Sequence, residues 1–145
     1  MSFESVVIVA AKRTPMGGFM GALSDAQSTE LGATAIAGAL AQTGLSNDAI
    51  DEVIMGCVLP AGLGQAPARQ AMLKAGLALS TGATTINKVC GSGLKAAMLA
   101  NDLIKAGSIE SAIAGGMESM TNAPYFIPKA RGGMRMGHGE IKDHM

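Results

Sequence analysis

An α/β fold, with parallel strands joined by helices, is what this sequence predicts. Short strand-like runs alternate with segments of helical spacing over most of the chain. Such alternation points to parallel strands linked by right-handed crossovers. The first run, "SVVIVAAK", is continuously apolar and β-branched, as suits a strand covered by helices on both faces. Glycine and proline punctuate the boundaries between the runs.

The elements follow in order. Residues 5–12 form the first predicted strand, and the Pro15, Gly17, Gly18 and Gly21 segment behind it reads as a loop. Residues 28–43 place Leu31, Ala35, Ile36, Ala39 and Leu40 at helical spacing, with Ser28 or Thr29 as the cap and Gly44 as the stop. Residues 48–51 predict a helical turn, and "EVIMGCV" a strand ended by Pro60. Pro67 suits the first turn of the next helix, which closes at Gly76. "TTINKV" is the third strand, residues 93–106 the third helix, and residues 111–114 a fourth strand running into Gly115 and Gly116. After Met120 the texture changes to prolines and glycines without a period, which predicts a long excursion out of the sheet.

The composition narrows the function. Eleven basic residues balance eleven acidic ones, and aromatics make up only 3%, so a nucleic-acid surface built on clustered charge and stacking is not expected. The 20 glycines and 11 methionines predict a core of small and flexible side chains with close backbone contacts. No apolar run approaches the roughly 18–20 residues of a membrane-spanning helix. The opening residues lack the pattern of a secretory signal. A reducing, cytoplasmic setting with free Cys57 and Cys90 is therefore expected, with a disulfide between them as the lesser alternative.

Cys90 lies where "TTINKV" ends and a helix begins, followed by Gly91 and Gly93. Open α/β sheets bind ligands at the carboxyl ends of their strands. A helix N-terminus favours a nearby anion, and the thiolate is the nucleophilic form of cysteine. Glycines allow a sharp turn and close substrate approach, and a nucleophile's own amide can bind a developing oxyanion. The arrangement parallels the strand–turn–helix that exposes a nucleophilic serine in other α/β enzymes. A packed, inert cysteine at a glycine-rich turn satisfies the same spacing, so both readings stand at this level.

"NKVCGSGLKA" resembles the nucleophile segment of the thiolases, in their acetyl-CoA C-acetyltransferase branch. The similarity extends in the right order through "VVIVAAKRTPMGGFMGAL", "GCVLPAGLGQAPARQA" and "AGGMESMTNAPYFIP". The resemblance implies acyl transfer between coenzyme A thioesters, in lipid metabolism. Cys90 would carry the acyl group, and two acetyl-CoA would condense to acetoacetyl-CoA and CoA, or the reverse. It implies no metal and no cofactor beyond the coenzyme A thioester substrates. The implied fold is a βαβαβαββ half-domain of a five-layer αβαβα structure. On this pattern residues 1–119 are the N-terminal core domain without its last strand, and residues 120–145 the start of an inserted loop domain. A segment resembling "PYFIPKARGGMRMG" contributes to tetramers in the family, and its core domains form dimers.

This sequence departs from the family in length. The activating histidine, an asparagine that positions a catalytic water and a second catalytic cysteine belong to a second half with no matching motif here. Cys57 lies where the family places no catalytic thiol, and His138 and His144 lack the family's surrounding motif and are expected in solvent. "GLGQAPARQ" lacks the lysine and spacing of a phosphate loop. The 145 residues alone are therefore expected to be inactive and to need the missing C-terminal part of the same protein. The alternatives are a thiolase for longer 3-oxoacyl chains, a decarboxylating condensing enzyme, and a non-catalytic assembly fragment.

Overall fold

Three parallel strands make the central sheet of the computed structural model, which describes residues 5–145. They are β1 (Glu52–Gly56), β2 (Gly82–Ile86) and β3 (Ala112–Gly116), in the spatial order β2-β1-β3. The register sets Gly56 opposite Ile86 on one side and Gly116 on the other, so all three strands end level. Three helices cover the sheet: α1 (Ser28–Thr43), α2 (Pro67–Lys74) and α3 (Ser92–Lys105).

The strand order explains where the helices go. The crossover from β1 to β2 moves one way across the sheet, and that from β2 to β3 moves back over β1. Right-handed connections in opposite directions place their helices on opposite faces. Side-chain alternation along β1 shows the result. Val53, Met55 and Cys57 pack with Ile36 and Leu40 of α1 and with Ala68, Ala71 and Met72 of α2. Ile54 packs with Ala96 and Ala100 of α3.

Local signals account for most boundaries. The α1 helix opens after Gln27, whose N–H donates to the Glu30 carboxylate at 2.9 Å, so neither Ser28 nor Thr29 is the cap. Gly44 ends it in the left-handed conformation (φ 72°). Pro67 occupies the first turn of α2, as expected. Residues 48–51 make a turn rather than a helix, held by Asp48 accepting from the Ser46 hydroxyl.

The first predicted strand is corrected. Residues 5–12 form neither strand nor helix, and Val7, Ile8 and Val9 are 69%, 89% and 67% exposed. A strand requires a ladder partner, and no described segment pairs with these residues. β3 likewise has no strand on its outer edge among the described residues.

Residues 120–145 leave the sheet and carry a short antiparallel pair, β4 (Tyr125–Phe126) with β5 (Lys142–Asp143), around a 3-10 turn at Ala130–Gly132. The segment is tied back at several places, one of them the Met20 N–H donating to the Thr121 hydroxyl at 2.9 Å. The Asn122 amide donates to the carbonyls of Ser24 and Ala26 at 2.9 and 3.0 Å. His144 is half-buried rather than in solvent, its Nε2 accepting from the Ala61 N–H at 3.3 Å; His138 is exposed, as expected. No helix among the described residues is long and apolar enough to cross a membrane.

Candidate active site

The carboxyl ends of all three strands converge on one open cavity. It is lined by Gly56, Val58 and Leu59 at the end of β1, by Val89, Cys90, Ser92 and Gly93 beyond β2, and by Gly116, Met117, Glu118 and Met120 at the end of β3, together with Met145. Its volume is about 640 Å³. The chain leaves β1 toward α2 and leaves β2 toward α3, on opposite faces, and such a switch opens a crevice at the strand ends. Cys90 sits in that crevice.

The turn holding Cys90 is built from its neighbours. Val89 has φ 49°, a left-handed conformation that is costly for a β-branched residue, on the order of 1–3 kcal/mol. Two side chains hold it there. The Asn87 carboxamide oxygen accepts from the Val89 N–H at 2.9 Å. The buried Ser92 hydroxyl donates to the Val89 carbonyl at 2.6 Å and accepts from the Lys88 N–H at 2.8 Å. Gly91 and Ser92 complete the turn by donating to the carbonyls of Lys88 and Val89. The Cys90 N–H is not among the donors this turn uses within the described residues.

Close backbone approach sets the height of the turn. A Cβ on Gly56 would lie 2.5 Å from the Ser92 Cβ and 2.8 Å from the Gly93 N, and Gly116 meets the Gly93 Cα at 3.4 Å from its own would-be Cβ. Glycine at 56 therefore lets the start of α3 rest directly on the end of β1, while Gly93 and Gly116 meet in ordinary contact. The helix begins at Ser92, two residues after Cys90, one residue earlier than its spacing predicts.

The two cysteines have opposite surroundings. Both are free thiols, Cys90 exposed and Cys57 only 1% exposed. Burial pushes the Cys57 thiol up to about 11, and the neighbouring Glu118 carboxylate adds to the shift. A thiol held protonated and enclosed is a packing group, not a nucleophile.

Glu118, Ser92, Asn87 and Gly56 escaped the sequence reading as parts of this site. The Glu118 carboxylate accepts from the N–H groups of Val58 and Leu59 at 2.8 and 3.0 Å, and stands 3.7 Å from the Cys57 Sγ. Its only signal in the sequence is an acid two residues beyond paired glycines at a strand end. That becomes meaningful once the register of β1 and β3 is known. His138 lines a separate cavity in the 127–140 segment, and no histidine is brought to the Cys90 cavity among the described residues.

Relatives of known name share this stretch. The chain is 54% identical over 142 residues to an acetyl-CoA acetyltransferase of Pseudomonas aeruginosa, covering 98% of this chain and 36% of that protein. It is 51% identical over 141 residues to an acetyl-CoA acetyltransferase of Escherichia coli, with 97% and 36% covered. It is also 51% identical over 142 residues to acetyl-CoA acetyltransferase 2 of Arabidopsis thaliana, with 98% and 35% covered. The chain thus spans about a third of the length of the curated relatives it matches. Residues 6–145 match the thiolase N-terminal domain, and the chain belongs to the thiolase family.

Proposed function

We propose that this chain carries the acyl-accepting nucleophile of an acetyl-CoA C-acetyltransferase, with Cys90 as the acyl carrier. The observation that supports it most is the exposed Cys90 thiol on a strained turn, in a crevice formed by three strand ends. The Cys90 sulfur attacks the thioester carbon of acetyl-CoA, the bond from that carbon to the coenzyme A sulfur breaks, and coenzyme A leaves as its thiol with the proton Cys90 gave up. A second acetyl-CoA loses an α-proton to a base. Its carbon attacks the acyl-Cys90 thioester, and acetoacetyl-CoA forms as the Cys90 sulfur regains a proton. Covalent catalysis of this kind divides one difficult step into two, and a thiol serves both as nucleophile and as leaving group. The Cys90 N–H is available to the oxyanion. No metal or redox cofactor takes part in these steps.

The base for the second step lies outside the 145 residues in this reading, so the isolated chain accepts an acyl group but does not turn over. Residues 1–119 act as the core domain and residues 120–145 as the start of the inserted loop domain. The setting is cytoplasmic, and the complete protein assembles as a dimer or tetramer. The exposed Val7, Ile8 and Val9 and the exposed Leu94 and Met98 of α3 favour burial against further polypeptide.

Intact-mass measurement after incubation with acetyl-CoA tests the assignment. One acetyl group on the native chain and none on Cys90→Ala is expected. Acetyl on Cys57, or on neither cysteine, would overturn it. Steady cleavage of acetoacetyl-CoA by the isolated chain would overturn the placement of the base elsewhere.

A further inference from the structure

We propose that Glu118 is a positioning residue that fixes the apolar wall beside Cys90 and so sets which acyl groups the cavity accepts. The inference rests on Cys90 being the acyl carrier and adds the source of its selectivity.

The placement follows from the register. Gly56 pairs with Gly116, and the next ladder bond runs from the Met117 N–H to the Gly56 carbonyl at 2.9 Å. One step further the backbones part, and the Glu118 side chain takes over the role of a strand. Its two oxygens accept separately, Oε2 from the Val58 N–H at 2.8 Å and Oε1 from the Leu59 N–H at 3.0 Å. Pro60 follows at once and has no N–H of its own. Val58 and Leu59, just beyond β1, are half-buried and line the same cavity as Val89 and Cys90. With one amide donating to each oxygen, Glu118 ties the wall to the end of β3.

This carboxylate is specific for the task. It offers two acceptors to two adjacent donors. A glutamine offers one acceptor and sets an N–H₂ donor against the other N–H, and an aspartate keeps both acceptors but retracts them by one methylene. Either change lets the Val58–Leu59 wall relax and widens the cavity. The ligand class proposed for this wall is a short acyl thioester, whose hydrocarbon tail would meet the apolar Val58, Leu59 and Met120 that line the same cavity as Cys90. One methylene in an apolar pocket discriminates by about tenfold or more.

The experiment measures acyl transfer from acetyl-CoA and from butyryl-CoA to Cys90, by intact mass, in the native chain, Glu118→Gln, Glu118→Asp and Leu59→Ala. The native chain is expected to favour acetyl, and the Glu118 variants to shift the acetyl-to-butyryl ratio of rates toward butyryl by about tenfold. Melting temperature, recorded alongside, separates a loss of fold from a change of pocket. An unchanged ratio with a lowered melting temperature would overturn the proposal and leave the Cys90 assignment standing. Absence of acyl transfer in the native chain would overturn both. Should neither Glu118 variant fold, Leu59→Ala keeps both N–H bonds while removing the wall side chain, and an unchanged ratio there overturns the proposal.

Discussion

On one face of the sheet, Ile36 and Leu40 of α1 and Met72 of α2 close over Val53, Met55 and Cys57, all nearly or completely buried. On the other face α3 covers Ile54 with the buried Ala96 and Ala100 and the partly buried Leu99 and Leu103, and leaves Leu94 72% exposed and Met98 52% exposed. The first face is a finished core. The second is a thin layer whose helix carries apolar residues on both sides. The cysteine turn stands at the junction, entered from β2 and leaving into α3, with the ends of β1 and β3 beneath it. The closed face supports the Cys90 turn, and the open face leaves Leu94 and Met98 of α3 in solvent.

Four substitutions probe that difference. Met72→Ala in the finished core should cost about 2–5 kcal/mol in urea unfolding, since it deletes a completely buried side chain between α2 and β1. A loss below that range would mean this face is loosely packed. Gly56→Ala should cost about 1–3 kcal/mol by overpacking and also slow Cys90 alkylation, because the added methyl displaces Ser92 and Gly93. Normal alkylation kinetics in that variant would show that the turn does not depend on the strand beneath it.

Cys57 gives a pH-dependent contrast. Its folded thiol is raised from 9.0 to about 11, so the folded state favours the protonated form. Its contribution to stability is fully present below about pH 9 and is lost as pH rises through 11, where unfolding exposes a thiol that ionises more readily. Cys57→Ala should flatten the native chain's decline in stability over that window, and parallel curves would refute the assignment. In the native chain, iodoacetamide at neutral pH should label Cys90 well ahead of Cys57. The smallest effect belongs to the open face: Leu94→Ala should change the stability of the isolated chain by no more than about 0.5 kcal/mol. A larger loss would mean that α3 is already covered.

Much of this was legible in the linear chain, for physical reasons that differ by element. The α1 boundaries match their expected residues because the 3.6-residue spacing and the Gly44 stop are local signals. The Cys90 turn was legible because the thiol and the glycines at 91 and 93 are neighbours in the chain, although β2 ends at Ile86 and the expected strand does not reach Val89. The segment at residues 5–12 misled, since a β-branched apolar run shows readiness to pair but not whether a partner is within reach. His144 misled for the same reason: its hydrogen bond to Ala61 joins residues far apart in the chain. Glu118 was invisible because its partners, Val58 and Leu59, are about 60 residues earlier.

Short-range preferences in the chain were enough to lay out helices, turns and most strands, and to put a thiol between a strand and a helix, because each depends on residues within one or two turns of one another. The three-dimensional assembly chose the order β2-β1-β3, seated the start of α3 on Gly56, enclosed one cysteine while exposing the other, and brought Glu118 to the wall of the cavity. Those outcomes depend on register and burial between distant segments, and no local preference encodes a contact whose two sides meet only after the sheet has formed.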